Sequence, residues 1–375
     1  MNRVIIYTVS TITLLFQHTI HGQNFSISGN LSDLSDTAIV RLYDTEDKTV
    51  IDSSLVKDHT FLLEGNLPKV PRSIVLHIQD KDFNAMEYLY IGNEKLLVKG
   101  NLVDFPLKLA VSGSKFQEVK SKLDKQLLAL VKRQQEKTGE IKSLYESGKW
   151  NDSIQEIYVG RNGIMQKIEE EKRTIEKKFI KENGNTHYSL YLLNLYKSNF
   201  YTDEELLAAY KKINKKLLNS DEARAIKTYL DHPELKIDDH YRDFKALDKK
   251  GEAVSFGQFF KGKYILLDFS TPTCGNSMNA RAMLQELQKE FPEKLEIISY
   301  YTENNKDHFE FFSNPENYPW PFLWNSDGNF NETILKYRVG GTPTFFVFQP
   351  DGKILDTWMG LDENTKDRIK KRMEP

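Results

Sequence analysis

Cysteine is all but absent from this chain: Cys274 is the only one in 375 residues. An internal disulfide is therefore excluded, as is any metal site built on several thiolates. Neither sign of charge dominates, because 52 Lys and Arg face 54 Asp and Glu for a formal net charge of −2. That balance lacks the basic footprint of a nucleic-acid-binding protein, and no such partner is expected. Long apolar runs are missing too. The best, from Val4 to Phe16, is roughly 13 residues, short of the ~20 that a membrane-spanning helix needs. His59 and His77 stand apart without metal-ligand spacing, so no metal is expected, and nothing suggests a cofactor. No internal repeat is evident.

The N-terminus carries the first positive signal. Arg3 precedes the apolar run, and Gly22 lies where a small residue favours cleavage. Residues 1–22 read as a secretory signal, with the mature chain starting near Gln23 in the periplasm or cell envelope. No cysteine follows directly, so lipidation at a mature N-terminal cysteine is not expected. Packed cores must then supply the stability that exported proteins often take from disulfides.

Three grammars follow one another. Residues 23–113 hold short β-prone runs, among them Phe25-Ser-Ile-Ser-Gly29, Ile74-Val-Leu-His-Ile78 and Lys95-Leu-Leu-Val98, separated by Gly, Asn, Asp and Pro. This spacing predicts a β-sandwich-like module. Residues 114–230 turn helical and highly charged, with Leu123, Leu127, Leu128 and Val131 at helical spacing and residues 152–180 behaving similarly. Thr202-Asp-Glu-Glu205 is a capping box, and Ser220-Asp-Glu opens another helix. The apolar stretch from Tyr188 to Tyr196 is expected to dock these helices. Residues 231–240 read as a linker, with Pro233 stopping the preceding helix. From 241 to 375 strands and helices alternate, the mark of a layered α/β domain.

Cys274 sits where the apolar strand of residues 264–269 runs into a predicted helix. A thiol at a helix start meets unpaired N–H groups and the positive end of the dipole, which favour the thiolate. Four pieces of this region resemble the thioredoxin-like thiol–disulfide oxidoreductases of the bacterial cell envelope, the TlpA/ResA-type group. They are Phe259-Phe-Lys-Gly-Lys-Tyr-Ile-Leu-Leu-Asp-Phe269, Cys274-Gly-Asn-Ser277, Tyr337-Arg-Val-Gly-Gly-Thr-Pro-Thr344 and Phe345-Phe-Val-Phe-Gln-Pro-Asp-Gly-Lys-Ile354. The preceding β-rich and helical regions resemble the extension often found before such domains. The resemblance implies a thioredoxin fold in the last third of the chain. It also implies an attacking thiol at Cys274, a cis peptide before Pro343, and Thr342 as a backbone partner for an extended client. Asp268 stands where thioredoxins carry a buried acid that handles protons for the second sulfur, and Gly275 keeps the helix start open.

Two departures limit what carries over. Thr273 replaces the aromatic that usually precedes the first cysteine, and Ser277 replaces the second cysteine. A serine can donate a hydrogen bond to the Cys274 thiolate but cannot resolve a mixed disulfide. The expected activity is thiol–disulfide exchange through one sulfur, with cysteine-containing envelope proteins or small thiols as partners. The alternative is a redox-inactive binding protein on the same fold. Two lesser readings are a monothiol glutaredoxin-like role, on the Cys-Gly-x-Ser pattern, and a one-cysteine peroxidase. The peroxidase would keep Thr271 but find Leu267 where its motif needs proline.

Overall fold

The computed structural model describes residues 24–46, 49–81, 83–314 and 318–373. The expected signal segment and its cleavage point lie outside these residues.

The N-terminal module is a sandwich of two four-stranded sheets. Its strands are β1 (Phe25–Ser32), β2 (Ile39–Asp44), β3 (Val50–Leu55), β4 (Thr60–Gly65), β5 (Arg72–Asp80), β6 (Phe83–Ile91), β7 (Lys95–Asn101) and β8 (Ala110–Ser112). One sheet has the order β4-β1-β7-β8, the other β3-β2-β5-β6. Alternation makes the core: Phe25, Ile27 and Leu31 of β1 face inward with Val40, Leu42, Ile74, Leu76 and Ile78 of the opposing sheet. The last strand is shorter than its apolar run suggests, because residues up to 109 are spent on turns around the Phe105–Pro106 peptide.

Six helices follow: α1 (Lys115–Glu146), α2 (Asp152–Val159), α3 (Ile164–Glu182), α4 (His187–Tyr196), α5 (Asp203–Tyr210) and α6 (Asp221–Asp231). Residues 152–180, which behave as one helical segment in the sequence, are two helices. Gly163 caps α3, and a Cβ there would lie 2.8 Å from the Tyr158 carbonyl oxygen, so the chain turns where only glycine fits. The Thr202 capping box and the Ser220 cap both form. The tyrosine-rich helix does dock the layer. Tyr188 and Tyr191 of α4 pack against Tyr90 of β6 at 5.1 and 5.2 Å between ring centroids, and Tyr90 N–H donates to Gln117 of α1.

The C-terminal domain is built on a seven-stranded sheet. Its strands are β9 (Lys245–Leu247), β10 (Ala253–Ser255), β11 (Tyr264–Ser270), β12 (Leu295–Tyr301), β13 (Phe322–Trp324), β14 (Thr344–Phe348) and β15 (Ile354–Met359), ordered β10-β9-β13-β12-β11-β14-β15. Helices α7 (Gly275–Glu290), α8 (Lys306–Phe312), α9 (Glu332–Lys336) and α10 (Thr365–Met373) complete it. β11 is central, parallel to β12 and antiparallel to β14. A strand covered on both faces reads as an unbroken apolar run, which explains Tyr-Ile-Leu-Leu-Asp-Phe-Ser. Separate apolar clusters fill the two faces of the sheet. The stretch 231–240, read from sequence as a linker, is packed against this sheet: Leu235 is buried, and Asp238 and Asp239 exchange backbone hydrogen bonds with Ile354.

Candidate functional site

The site forms where β11 leaves the sheet. Its C-terminal end delivers the Thr271-Pro272-Thr273 loop and then Cys274, the N-cap of α7. The Cys274 carbonyl accepts from Met278 N–H at 3.0 Å, so the helix starts at the thiol. The loop before β14 approaches from the other side. The Thr342–Pro343 peptide is cis, and the Cys274 thiol donates to the Thr342 carbonyl oxygen at 3.2 Å. Residues 68 positions apart are thereby placed in contact, because β11 and β14 are sheet neighbours.

Cys274 is partly exposed. Partial burial opposes ionisation of the thiol. Hydrogen-bond donors from the Ser277 backbone, the Thr342 and Ser277 side chains and the Asn276 backbone outweigh it and hold the thiol below its ordinary value. Ser277 is fully buried, and its hydroxyl makes no hydrogen bond that meets ordinary geometry in the thiol form. It is a donor free to serve a thiolate. Gly275 is exposed, with nothing within 4 Å of where a Cβ would stand, so the first turn of α7 is open to an incoming group.

Asp268 lies one layer deeper. Burial raises its carboxyl to about 6, against hydrogen bonds from the Ser270 and Ser299 hydroxyls and the attraction of Arg281. Trp320 Nε1 donates to Ser299 at 3.0 Å and locks that hydroxyl. Arg281, itself buried, stacks on Phe312 and Tyr318 and donates to the Phe312 carbonyl. The acid therefore has a complete set of partners without a second sulfur.

One group beside the thiol has no sequence signal of its own. Glu303, on the loop after β12, accepts from the Thr273 hydroxyl at 2.5 Å and from Tyr301 at 3.2 Å. The Thr273 hydroxyl also lies 3.2 Å from that of Thr271. Where an aromatic would shield the cysteine, this chain has a polar hydrogen-bonded loop. Only the rule that loops gather at the C-terminal ends of parallel strands would have pointed to Glu303. Met278, one turn along α7, and Met359, whose sulfur packs beside Gly341, are exposed near the thiol. Among the described residues no cluster of His, Cys, Asp or Glu could hold a metal ion.

Residues 237–357 match the AhpC/TSA family, and residues 25–119 match a domain of unknown function, DUF4369. No curated protein sequence matches the chain. Among solved structures, a thiol-disulfide oxidoreductase from Bacteroides fragilis is similar at 24% identity, covering 36% of this chain and 98% of that one, with a TM-score of 0.33. The thioredoxin domain of a thiol-disulfide oxidoreductase from Bacteroides vulgatus shares 22% identity over 37% of this chain and 99% of its own, with a TM-score of 0.33. An exposed lipoprotein thioredoxin from Streptococcus pneumoniae shares 21% identity over 35% and 98%, with a TM-score of 0.31. The chain thus carries a thioredoxin-like domain of the AhpC/TSA type over residues 237–357, behind a β-rich and helical N-terminal extension whose residues 25–119 match DUF4369.

Proposed function

We propose that this protein carries out thiol–disulfide exchange through the single sulfur of Cys274, on exported proteins of the cell envelope. The observation that carries the reading is the pairing of a partly exposed, acid-shifted thiol beside the cis Thr342–Pro343 peptide with a fully buried Ser277 at the resolving position. The Cys274 thiolate attacks one sulfur of a client disulfide. The client S–S bond breaks, a Cys274–client S–S bond forms, and the other client sulfur leaves as thiolate. No electrons are gained or lost overall. Release needs a second thiolate, from the client or from a small thiol, to attack the mixed disulfide and return Cys274 as thiolate. The exposed methionines Met278 and Met359 suit such a site, because flexible thioethers adapt to varied client surfaces.

Export is part of the proposal. The signal-like N-terminus supports it, and the pneumococcal protein named above is described as exposed. No helix among the described residues is long and apolar enough to cross a membrane.

Rates of alkylation of Cys274 measured against pH test the chemistry. The midpoint should fall below the ~8.5 of an ordinary cysteine. Ser277→Cys should convert the site into a dithiol that reduces insulin disulfides over many turnovers, while the wild type without added small thiol does not. A Cys274 that resists alkylation in the folded protein would instead favour a redox-inactive binding protein.

A further inference from the structure

An apolar cavity that shares no lining residue with the thiol site lies in the helical region, where α3, α4 and α5 meet. Ile180, Leu190, Leu193 and Ile213 form its floor, with Ala208 and Ala209 on the α5 side. The volume is about 260 Å³, just below the about 300–1,000 Å³ usual for small-molecule sites. Leu190 and Leu193 are 2% exposed, so the floor is buried rather than a shallow surface dip. Alanines at two adjacent α5 positions leave the space that larger side chains would have filled.

Charge around this floor has one sign in excess. Lys177, Lys181 and Lys212 line the cavity, against one carboxylate, Glu205. Lys177 is engaged, since its ammonium lies 3.1 Å from Glu205 and over the Tyr201 ring. Lys181 and Lys212 are exposed and have no ion-pair partner among the described residues. A greasy floor with two uncommitted ammonium groups at its rim matches an aliphatic chain that ends in an anion. A cation would meet like charge, and a neutral alcohol would leave both lysines unused.

We propose that this cavity binds a medium-chain carboxylate, with its tail among Ile180, Leu190, Leu193 and Ile213 and its headgroup between Lys181 and Lys212. The site is independent of Cys274 and of the exchange reaction.

Dodecanoate binding to the full-length protein, followed by titration calorimetry below its micelle concentration, tests this. Dodecyltrimethylammonium and dodecanol serve as matched cationic and neutral probes. Saturable one-to-one binding of dodecanoate is expected, weakened about tenfold or more by Lys181→Glu with Lys212→Glu, whose exposed positions leave the fold intact. Ala209→Trp should abolish it by filling the cavity. Vesicles carrying anionic phospholipid should not compete with dodecanoate; competition would assign the pocket to a lipid acyl chain instead. No saturable binding, equal binding of all three amphiphiles, or unchanged affinity in the charge-reversed protein would overturn the proposal.

Discussion

Asp268 shows how much one buried carboxyl can weigh. Its unfolded value is 3.8 and its folded value about 6, so the native state holds the proton more tightly. Stability from this group is therefore complete below the unfolded value and is lost as pH rises through about 6, a swing of roughly 3 kcal/mol. Asp268→Asn keeps a side chain that Ser270 and Ser299 can still bond. It should flatten the pH dependence of unfolding between about pH 4 and about pH 7 and raise stability at the upper end. Urea denaturation across that range reads both effects, and an unchanged slope would show that Asp268 is not the titrating group. The same residue illustrates a limit of family reasoning. In a dithiol protein the acid serves a second sulfur, whereas here two serines, Ser299 held in turn by Trp320, already satisfy it.

Elements are held by small local decisions that the sequence encodes openly. Gly29 sits on the inward face of β1 directly opposite Phe61 of β4, and a Cβ there would meet the Phe61 ring at 2.0 Å. The glycine is a seat for the ring and not a weakness in the strand. Gly29→Val should overpack that face and lower stability by about 1–3 kcal/mol, measurable as a fall in the urea midpoint. An unchanged midpoint would mean the two sheets can separate locally without penalty. The last helix is fixed in the same economical way: Asp356 of β15 is buried and accepts hydrogen bonds from Arg368 and Arg372 of α10.

At the scale of the whole molecule, Arg338 joins the helical layer to the thioredoxin-like domain. It lies four residues before Thr342, holds a left-handed φ of 52°, and makes two hydrogen bonds to Asp203 at the start of α5, at 2.9 and 2.8 Å. It also donates to the His232 and Tyr229 carbonyls and stacks on the Tyr229 ring. An arginine kept in a conformation that favours glycine or asparagine is retained for its side chain. Arg338→Ala should cost about 1–3 kcal/mol in docking, with charged hydrogen bonds lost and Asp203 left half-exposed. Calorimetry should then show the helical layer and the C-terminal domain melting apart, and proteases should cut the 231–240 stretch sooner. A single unshifted transition would show that other contacts carry the docking.

The sequence alone determined the order of the three regions, the helix caps at Thr202 and Ser220, the central apolar strand, and the identity of Cys274 as the one sulfur available. Each rests on neighbours within a few residues: alternation, capping chemistry, a strand meeting a helix. It did not reveal β13, only three residues long, or α9, only five, because such pieces carry too little periodicity to stand out. Nor did it show that Ser277 is sealed inside while Cys274 remains accessible, that Glu303 closes on Thr273, or that Arg338 reaches Asp203 across 135 residues. Those facts depend on which strands become neighbours in the sheet and where the helical layer settles on it. Burial and long-range pairing are properties of the packed chain, so only the tertiary structure decided them.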